Sequence, residues 1–225
     1  MIATVERLSK LLRASPHYRP LNSPRYALDI FQWGYFFVLI IISALISSAL
    51  ARQDIDGDDH AFQIRLLSLP TAVLMYLVAS LTFLSLLLNW SGWELPFGFG
   101  STDKGNVLKP AIFYIVEDIV AVDGEGGIEY REAFNARYEG SPIFRQMIRD
   151  LSLVWMLYFY VFAILFTVLV FTLPVEAVYA VGWAGPFPLA GLMAVWTIHY
   201  VGRQLNREIV GEVESERTPL LGQST

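Results

Sequence analysis

The chain has 225 residues, of which 55% are hydrophobic and 16% are charged, with 16 Lys and Arg against 21 Asp and Glu. Soluble domains carry about 25% charged residues. Cysteine is absent, which excludes disulfide frameworks, zinc ribbons, iron–sulfur clusters and thiol nucleophiles. The net charge of −5 makes nucleic acid a poor partner.

Residues 1–29 are predicted to form a basic amphipathic segment followed by a linker. Apolar residues recur there at helical spacing with basic residues between them, namely Ile2, Val5, Leu8, Leu11 and Leu12 against Arg7, Lys10 and Arg13. Such a helix is suited to lie on an anionic leaflet of the lipid bilayer. Its composition also resembles that of an organelle transit peptide, which keeps a mitochondrial location open.

Four stretches contain no Asp, Glu, Lys or Arg: residues 30–51, 66–89, 151–173 and 178–201. Each has 22–24 residues, about 33–36 Å as a helix, which is enough to cross a hydrocarbon core of about 30 Å. The first stretch is too long for a cleaved signal peptide. We therefore predict an all-α membrane protein with four transmembrane helices.

The first transmembrane helix carries a face of small residues. Spacings of three and four put the following side chains on one side of it: Ser43, Ala44, Ser47, Ser48 and Ala51. Small residues allow close backbone approach between helices in lipid. This face therefore predicts helix association, and with it a homo-oligomer.

Basic residues close to the membrane predict the orientation. Of the 16 Lys and Arg residues, 14 lie in 1–29, 90–150 and 202–225. The 52–65 loop is acidic, with arginine only at its two edges, and the 174–177 loop is short. Both termini and the 90–150 loop are thus predicted to be cytosolic, and the other two loops lumenal.

The 90–150 loop contains an apolar run that follows Pro110 and stops at Asp123. It is too short to span a bilayer, so an interfacial amphipathic helix or a re-entrant helix is predicted, although its β-branched content would also suit a strand. A second helix is predicted over 129–139. Ser141 is then an N-cap and Pro142 the first residue of the helix that becomes the third span.

Three carboxylates of this loop are candidate functional acids: Glu117, Asp118 and Asp123. Neighbouring helical residues point about 100° apart, so Glu117 and Asp118 are not expected to face one site together. No His or Cys stands nearby to complete a catalytic set. We therefore expect ion pairs rather than catalysis, with the candidate partners Lys109, Arg131 and Arg137.

The fourth span is interrupted by Gly185, Pro186 and Pro188, so it either kinks there or enters the membrane late. The four spans contain no Asp, Glu, Lys or Arg, and His199 is their only histidine. Charged residues inside a membrane mark pumps and ion paths, and a bis-histidine haem would need a second histidine. No cofactor or metal is therefore expected, and His199 is interpreted as an interfacial side chain.

The tail from residue 202 is polar and predicted to be disordered. Near its end, Glu216 stands four residues before Leu220, which Leu221 follows. This pattern resembles the acidic dileucine sorting signal that clathrin-type adaptor complexes bind. The resemblance implies an adaptor as partner and the membrane of the vacuole, lysosome or endosome as location, with the plasma membrane as an alternative.

Residues 109–149 resemble a segment of uncharacterised fungal multi-pass membrane proteins, a resemblance that implies no activity. The leading functional hypothesis is a non-enzymatic interaction, scaffold or trafficking component that acts through its cytosolic face. The first alternative is a subunit of a small transporter or channel. The second is an enzyme at the membrane interface that acts on lipid through Glu117, Asp118 and Asp123.

Overall fold

The computed structural model describes residues 2–13, 16–22, 28–51 and 57–221. Within these ranges the regular structure is helical, apart from two isolated β-bridges. The helices are α1 (Ile2–Arg13), a short 3-10 helix (Pro16–Tyr18), α2 (Ile30–Leu50), α3 (Gly57–Leu67), α4 (Pro70–Trp90), α5 (Ala111–Val122), α6 (Gly127–Gly140), α7 (Pro142–Thr172), α8 (Val175–Ala184) and α9 (Pro186–Leu221).

Four regions are long and apolar enough to cross a membrane: α2, α4, α7 and the α8–α9 segment over Val175–Val210. Large apolar side chains point away from the protein along these helices; Ile40, Phe187 and Leu192, for example, are 68%, 75% and 68% exposed. In water this exposure would be costly, whereas in lipid it is the favourable arrangement. The predicted all-α fold with four transmembrane helices is confirmed.

α4 and α7 form the most extensive helix pair of the bundle. Ala72 and Ala163 are almost completely buried in their contact, beside Phe166. Alanine lets the two backbones approach closely, and close packing stabilises helix pairs in lipid. The hydroxyl groups of Ser80 and Tyr160 also form a hydrogen bond of 3.0 Å between the helices.

The side of the bundle where α2 begins, α4 ends and α7 begins is called the loop side here. α5, α6 and the 91–110 segment form a layer there. Its core is aromatic, since the Phe113 ring lies 4.8 Å from the Phe134 ring and 4.9 Å from the Tyr138 ring. Ser141 caps α7 by accepting a hydrogen bond from the Phe144 N–H at 3.1 Å, as its sequence pattern predicts.

The apolar run after Pro110 forms the helix α5, which contacts α1, α2, α4, α6 and α7. Half of its side chains are buried among these neighbours: Phe113, Tyr114, Glu117, Asp118, Ala121 and Val122. α5 is therefore the central helix of the loop-side layer.

The opposite side of the bundle contains α3, in the stretch that the sequence assigned to an acidic loop. Residues 52–56 of that loop lie outside the described part of the chain. The Arg65 guanidinium donates hydrogen bonds to the carbonyl oxygens of Val170 and Leu173 at the C-terminus of α7. These carbonyl groups have no partner within their own helix, and a cation there also suits the helix dipole. α3 is thus fixed to α7 by a contact that its own sequence does not reveal.

The fourth span is interrupted between α8 and α9 at Gly185, whose backbone keeps helical angles (φ −56°, ψ −38°). Pro186 and Pro188 have no N–H to donate, so the helical hydrogen-bond ladder is interrupted there. α9 then runs to Leu221, although a disordered tail was predicted from residue 202. An established helix gains one hydrogen bond for each added residue, so elongation from a membrane span is less costly than a new start.

Candidate functional site

Six charged residues meet on the loop side between α1, α2, α5 and α6, and are called the ion cluster. Its members are Arg7, Asp29, Glu117, Asp118, Asp123 and Arg131. All three acids that the sequence singled out belong to it. The other three members come from separate parts of the chain.

Arg131 of α6 lies at the centre of the cluster and is completely buried. Its Nη1 atom is 2.6 Å from Asp118 Oδ1 and 3.7 Å from Glu117 Oε1. Its Nη2 atom donates a hydrogen bond of 3.3 Å to the Tyr18 carbonyl oxygen. One guanidinium group therefore joins α6 to α5 and to the segment after α1.

The expectation that Glu117 and Asp118 could not face one site is wrong. Their Cα–Cβ bonds do diverge along α5, but Arg131 reaches in from α6 and its guanidinium lies within salt-bridge distance of both carboxylates. The arginine side chain is long and its guanidinium group is forked, so it can contact two carboxylates whose Cα–Cβ bonds point in different directions. The expected pairing with Arg131 is present, whereas Arg137 pairs with Glu208 of α9 instead.

Arg7 of α1 is the second cation of the cluster and is 5% exposed. It forms salt bridges with Asp29 and Asp123 and donates a hydrogen bond of 3.3 Å to the Asp118 carbonyl oxygen. Lys10, one turn further along, lies 3.2 Å from Glu125. The sequence predicted that these cations would face an anionic leaflet, but carboxylates of the protein itself occupy them. α1 is thus held on the loop-side layer.

Asp29 and Asp118 both cap the N-terminus of α2. The Gln32 N–H donates to Asp29 Oδ1 at 2.8 Å, and the Phe31 N–H donates to Asp118 Oδ2 at 3.0 Å. The first N–H groups of a helix lack partners within the helix, and negative charge is favourable beside them. The start of the first span is therefore fixed by one acid of its own and one from α5.

Burial raises the pKa of three acids of the cluster, namely Asp29, Glu117 and Asp118. The pKa of Asp29 rises to about 6 because of its burial and then the nearby Asp118 charge, against the opposing effect of Arg7. Burial also raises the pKa of Glu117 and of Asp118, and in both the Arg131 charge opposes the rise. The protein thus keeps carboxylates where the ionised form is costly.

Glu117 belongs to a second chain of polar contacts. Asn135 Nδ2 donates to Glu117 Oε1 at 2.8 Å, and the Lys109 ammonium donates to Asn135 Oδ1 at 2.5 Å. The ammonium also lies 4.6 Å from the centroid of the Phe113 ring, a cation–π contact. Burial lowers the pKa of Lys109. Lys109 therefore reaches Glu117 through Asn135 rather than by direct pairing.

The ion cluster is suited to holding helices together. Glu117 and Asp118 are 0% and 2% exposed, and only Asp123 of the predicted acids is substantially accessible, with 45% of its side chain exposed. No group of three or more His, Cys, Asp or Glu side chains within the described ranges is arranged to hold a metal ion. The chemistry that this geometry supports is electrostatic cross-linking of α1, α2, α5 and α6.

The sequence did not single out Arg7, Asp29 and Asn135 as members of the site. For Asp29 a signal exists, because an aspartate directly before an uncharged span is a helix N-cap pattern. Arg7 has no such signal, since its partner Asp123 is 116 residues away. Asn135 lies on a short polar helix whose buried face has no apolar pattern.

The other predicted sites lie away from the ion cluster. All five residues of the predicted association face of the first span are exposed on the described protein: Ser43, Ala44, Ser47, Ser48 and Ala51. Glu216, Leu220 and Leu221 of the predicted sorting signal lie in the last turns of α9, and their side chains are outside the described part of the structure.

Four apolar helices with an ion-paired layer on one side define the class as a multi-pass helical membrane protein. The chain belongs to the family described as "Domain of unknown function (DUF8766)", which matches residues 2–211. The comparisons with curated proteins and with solved structures found no match. The prediction of an uncharacterised family is thus confirmed, and the match extends far beyond residues 109–149.

Proposed function

We propose that the protein is a non-enzymatic scaffold or trafficking component of the vacuolar or endolysosomal membrane, with its loop side in the cytosol. The observation that carries this proposal is the burial of the ion cluster around Arg131. Asp29 and Asp118 are buried against arginine side chains and the first N–H groups of α2, so they hold elements in place and are not accessible to a substrate. The loop side then offers the cytosol a fixed surface.

The part of that surface best suited to a protein partner is the outer face of α6. Glu129 and Glu132 are exposed there, three residues apart, and neither forms a salt bridge with a described residue. Residues three apart lie on one face of a helix. Glu139 extends this face but lies 3.8 Å from the Lys109 ammonium. We therefore propose a partner with a basic contact surface.

Charge reversal on α6 tests this interface. We expect Glu129→Arg together with Glu132→Arg to remove a defined set of cytosolic proteins from proximity labelling around the tagged protein, because the basic partner would be repelled. Glu94→Arg with Asp103→Arg is the matched control, since both acids are exposed on the loop side. An unchanged set of labelled proteins in the α6 variant would contradict the proposed interface.

The proposed location in the vacuolar or endolysosomal membrane is based on the dileucine pattern in the C-terminal tail. We expect Leu220→Ala with Leu221→Ala to move the tagged protein to the plasma membrane, because adaptors bind two aliphatic side chains in an extended peptide. α9 reaches Leu221, so binding requires its last turns to unwind. Gln223→Ala with Ser224→Ala is the control, and a double-leucine variant that stays on the vacuole would rule out the signal.

A second candidate function, a subunit of a small transporter or channel, is favoured by the interruption of the fourth span at Gly185. Interrupted helices line substrate sites in many transporters. Solute flux in proteoliposomes that falls in Pro186→Ala or Pro188→Ala would support it. The third hypothesis, an enzyme acting on lipid, has less support because Glu117 and Asp118 are buried.

A further inference from the structure

A cavity of about 400 Å³ lies on the loop side between the end of α4 and the start of α7, apart from the ion cluster. It is lined by Trp90, Pro142, Arg145, Gln146, Arg149, Asp150 and Leu153. Its size falls within the range of small-ligand sites, about 300–1,000 Å³. Two of its lining residues are cations and one is an anion.

The electrostatic character of the cavity is basic. Within the described chain, neither Arg145 nor Arg149 forms a salt bridge. The Asp150 carboxylate also lines the cavity, where its Oδ2 atom accepts a hydrogen bond of 2.9 Å from the neutral Tyr200 hydroxyl, so two guanidinium groups against one carboxylate leave a net positive charge. Arg145 Nη1 donates to the carbonyl oxygens of Tyr138 at 3.2 Å and Glu139 at 2.5 Å, which fixes the guanidinium and leaves its other N–H groups to meet an anion. An anion entering here would therefore meet two guanidinium groups.

The inner part of the cavity, at Arg149, lies at the depth of lipid headgroups. The uncharged stretch of the third span begins at Leu151, and at 1.5 Å per residue Arg149 lies about 3 Å outside it and Arg145 about 9 Å outside it. The headgroup region on each side of a bilayer is about 5–8 Å thick, so Arg149 lies within it and Arg145 lies at its aqueous edge. Trp90 is 56% exposed at the end of α4, a position where indole rings commonly mark the membrane interface.

We propose that this cavity binds the phosphate group of an anionic phospholipid. Arginine is the side chain best suited to phosphate, because its planar fork can donate two parallel hydrogen bonds. A phosphomonoester headgroup, which carries more than one negative charge, matches two arginines better than a zwitterionic headgroup does. The site is separate from the proposed partner surface on α6, so an experiment can disprove one of the two proposals and leave the other standing.

Native mass spectrometry of the full-length protein in detergent tests this site. The probes are phosphatidic acid, phosphatidylcholine with the same acyl chains, and inorganic phosphate. We expect one phosphatidic acid to bind at least about tenfold more tightly than phosphatidylcholine, and Arg149→Gln to reduce that affinity about tenfold or more, as for the loss of one charge-assisted hydrogen bond. Arg149→Lys should restore part of the affinity, because it keeps the charge and loses the fork.

Arg203→Gln with Arg207→Gln is the matched control, since both arginines are exposed on α9. This control should leave the affinity unchanged, and the Arg149 variants should keep the thermal midpoint of the parent protein. Equal affinity for both lipids, or an equal loss in the α9 control, would overturn the proposal. Displacement of phosphatidic acid by equimolar inorganic phosphate would also overturn it, because the site would then bind soluble phosphate.

Discussion

Asp29 is a helix cap at a buried position, where its ionised form is costly. As the N-cap of α2 it accepts a hydrogen bond from Gln32, for which either carboxylate or carboxylic acid suffices. As a buried group near Asp118, Arg7 and Arg131, its pKa is raised from 3.8 to about 6. The folded state therefore holds this proton more tightly than the unfolded chain. The stability that Asp29 contributes is full below pH of about 4 and is lost as the pH rises through about 6.

We predict that Asp29→Asn is at least as stable as the parent protein at pH 7.5. The amide oxygen keeps the cap, and the buried charge is gone. Asp29→Ala should instead lose about 1 kcal/mol, the usual cost of a lost N-cap. Thermal unfolding in detergent, followed by tryptophan fluorescence at pH 5 and pH 7.5, measures both effects.

The Asn variant should also show a smaller stability difference between the two pH values than the parent protein. An Asn variant as unstable as the Ala variant at pH 7.5 would contradict this account. It would mean that the ionised Asp29–Arg7 pair is worth more than the burial cost of the charge.

At the scale of elements, α2 has one face that no other described helix covers. Its five small residues are exposed, whereas Gln32, Val38 and Ala49 on other faces are buried. Contact with lipid alone would favour large apolar residues at these positions at least as much as small ones. The small side chains thus favour a second α2 packed against the first.

We predict that Ala44→Leu with Ser47→Leu lowers self-association in vesicles, because the added side chains keep the two backbones apart. Energy transfer between differently labelled copies measures the association. Ala190→Leu with Ala194→Leu is the control, since it enlarges two exposed alanines one turn apart on α9. Undiminished energy transfer in the α2 variant would exclude this face as the contact.

An element could be predicted from the sequence when the interactions that stabilise it are local in the chain, and it was missed when they come from distant residues. The spans α2, α4 and α7 are encoded locally, because the exclusion of charge can be read along the chain. α3 was missed because its sequence, which includes Asp58, Asp59 and Arg65, is polar and has no strong period. What holds it is distant in the sequence: Arg65 caps α7, and the Trp183 indole N–H donates to the Leu67 carbonyl oxygen at 3.1 Å.

The same reason explains how much of the ion cluster was predictable. The sequence indicated Glu117, Asp118 and Asp123 as unusual acids, and it offered Arg131 as a partner. It could not indicate Arg7, because a charge on a short amphipathic helix has the same pattern whether the helix meets lipid or protein. Only the packing of α1 against α5 decides between these.

At the scale of the whole molecule, the absence of cysteine makes the proposed threading directly testable. Any cysteine introduced is the only thiol in the chain. Lys104 is exposed on the loop side, and His60 is exposed on α3 at the opposite side. In cells whose plasma membrane alone is permeabilised, we predict that an impermeant maleimide labels Lys104→Cys and spares His60→Cys. The reverse labelling pattern would invert the proposed orientation.

The ion cluster also fixes an order of events during synthesis. Arg7 and Asp123 are 116 residues apart, so at about 5–20 residues per second the ribosome adds the acid roughly 6 to 23 s after the arginine. During the part of that interval between the addition of Leu50 and that of Asp118, the first span is complete but its second cap does not yet exist. The N-terminal helix is the first element to be made and one of the later ones to reach its final contacts. A nascent chain that stalls after α4 therefore has its N-terminal amphipathic helix exposed, without the α5 helix that covers it in the folded protein.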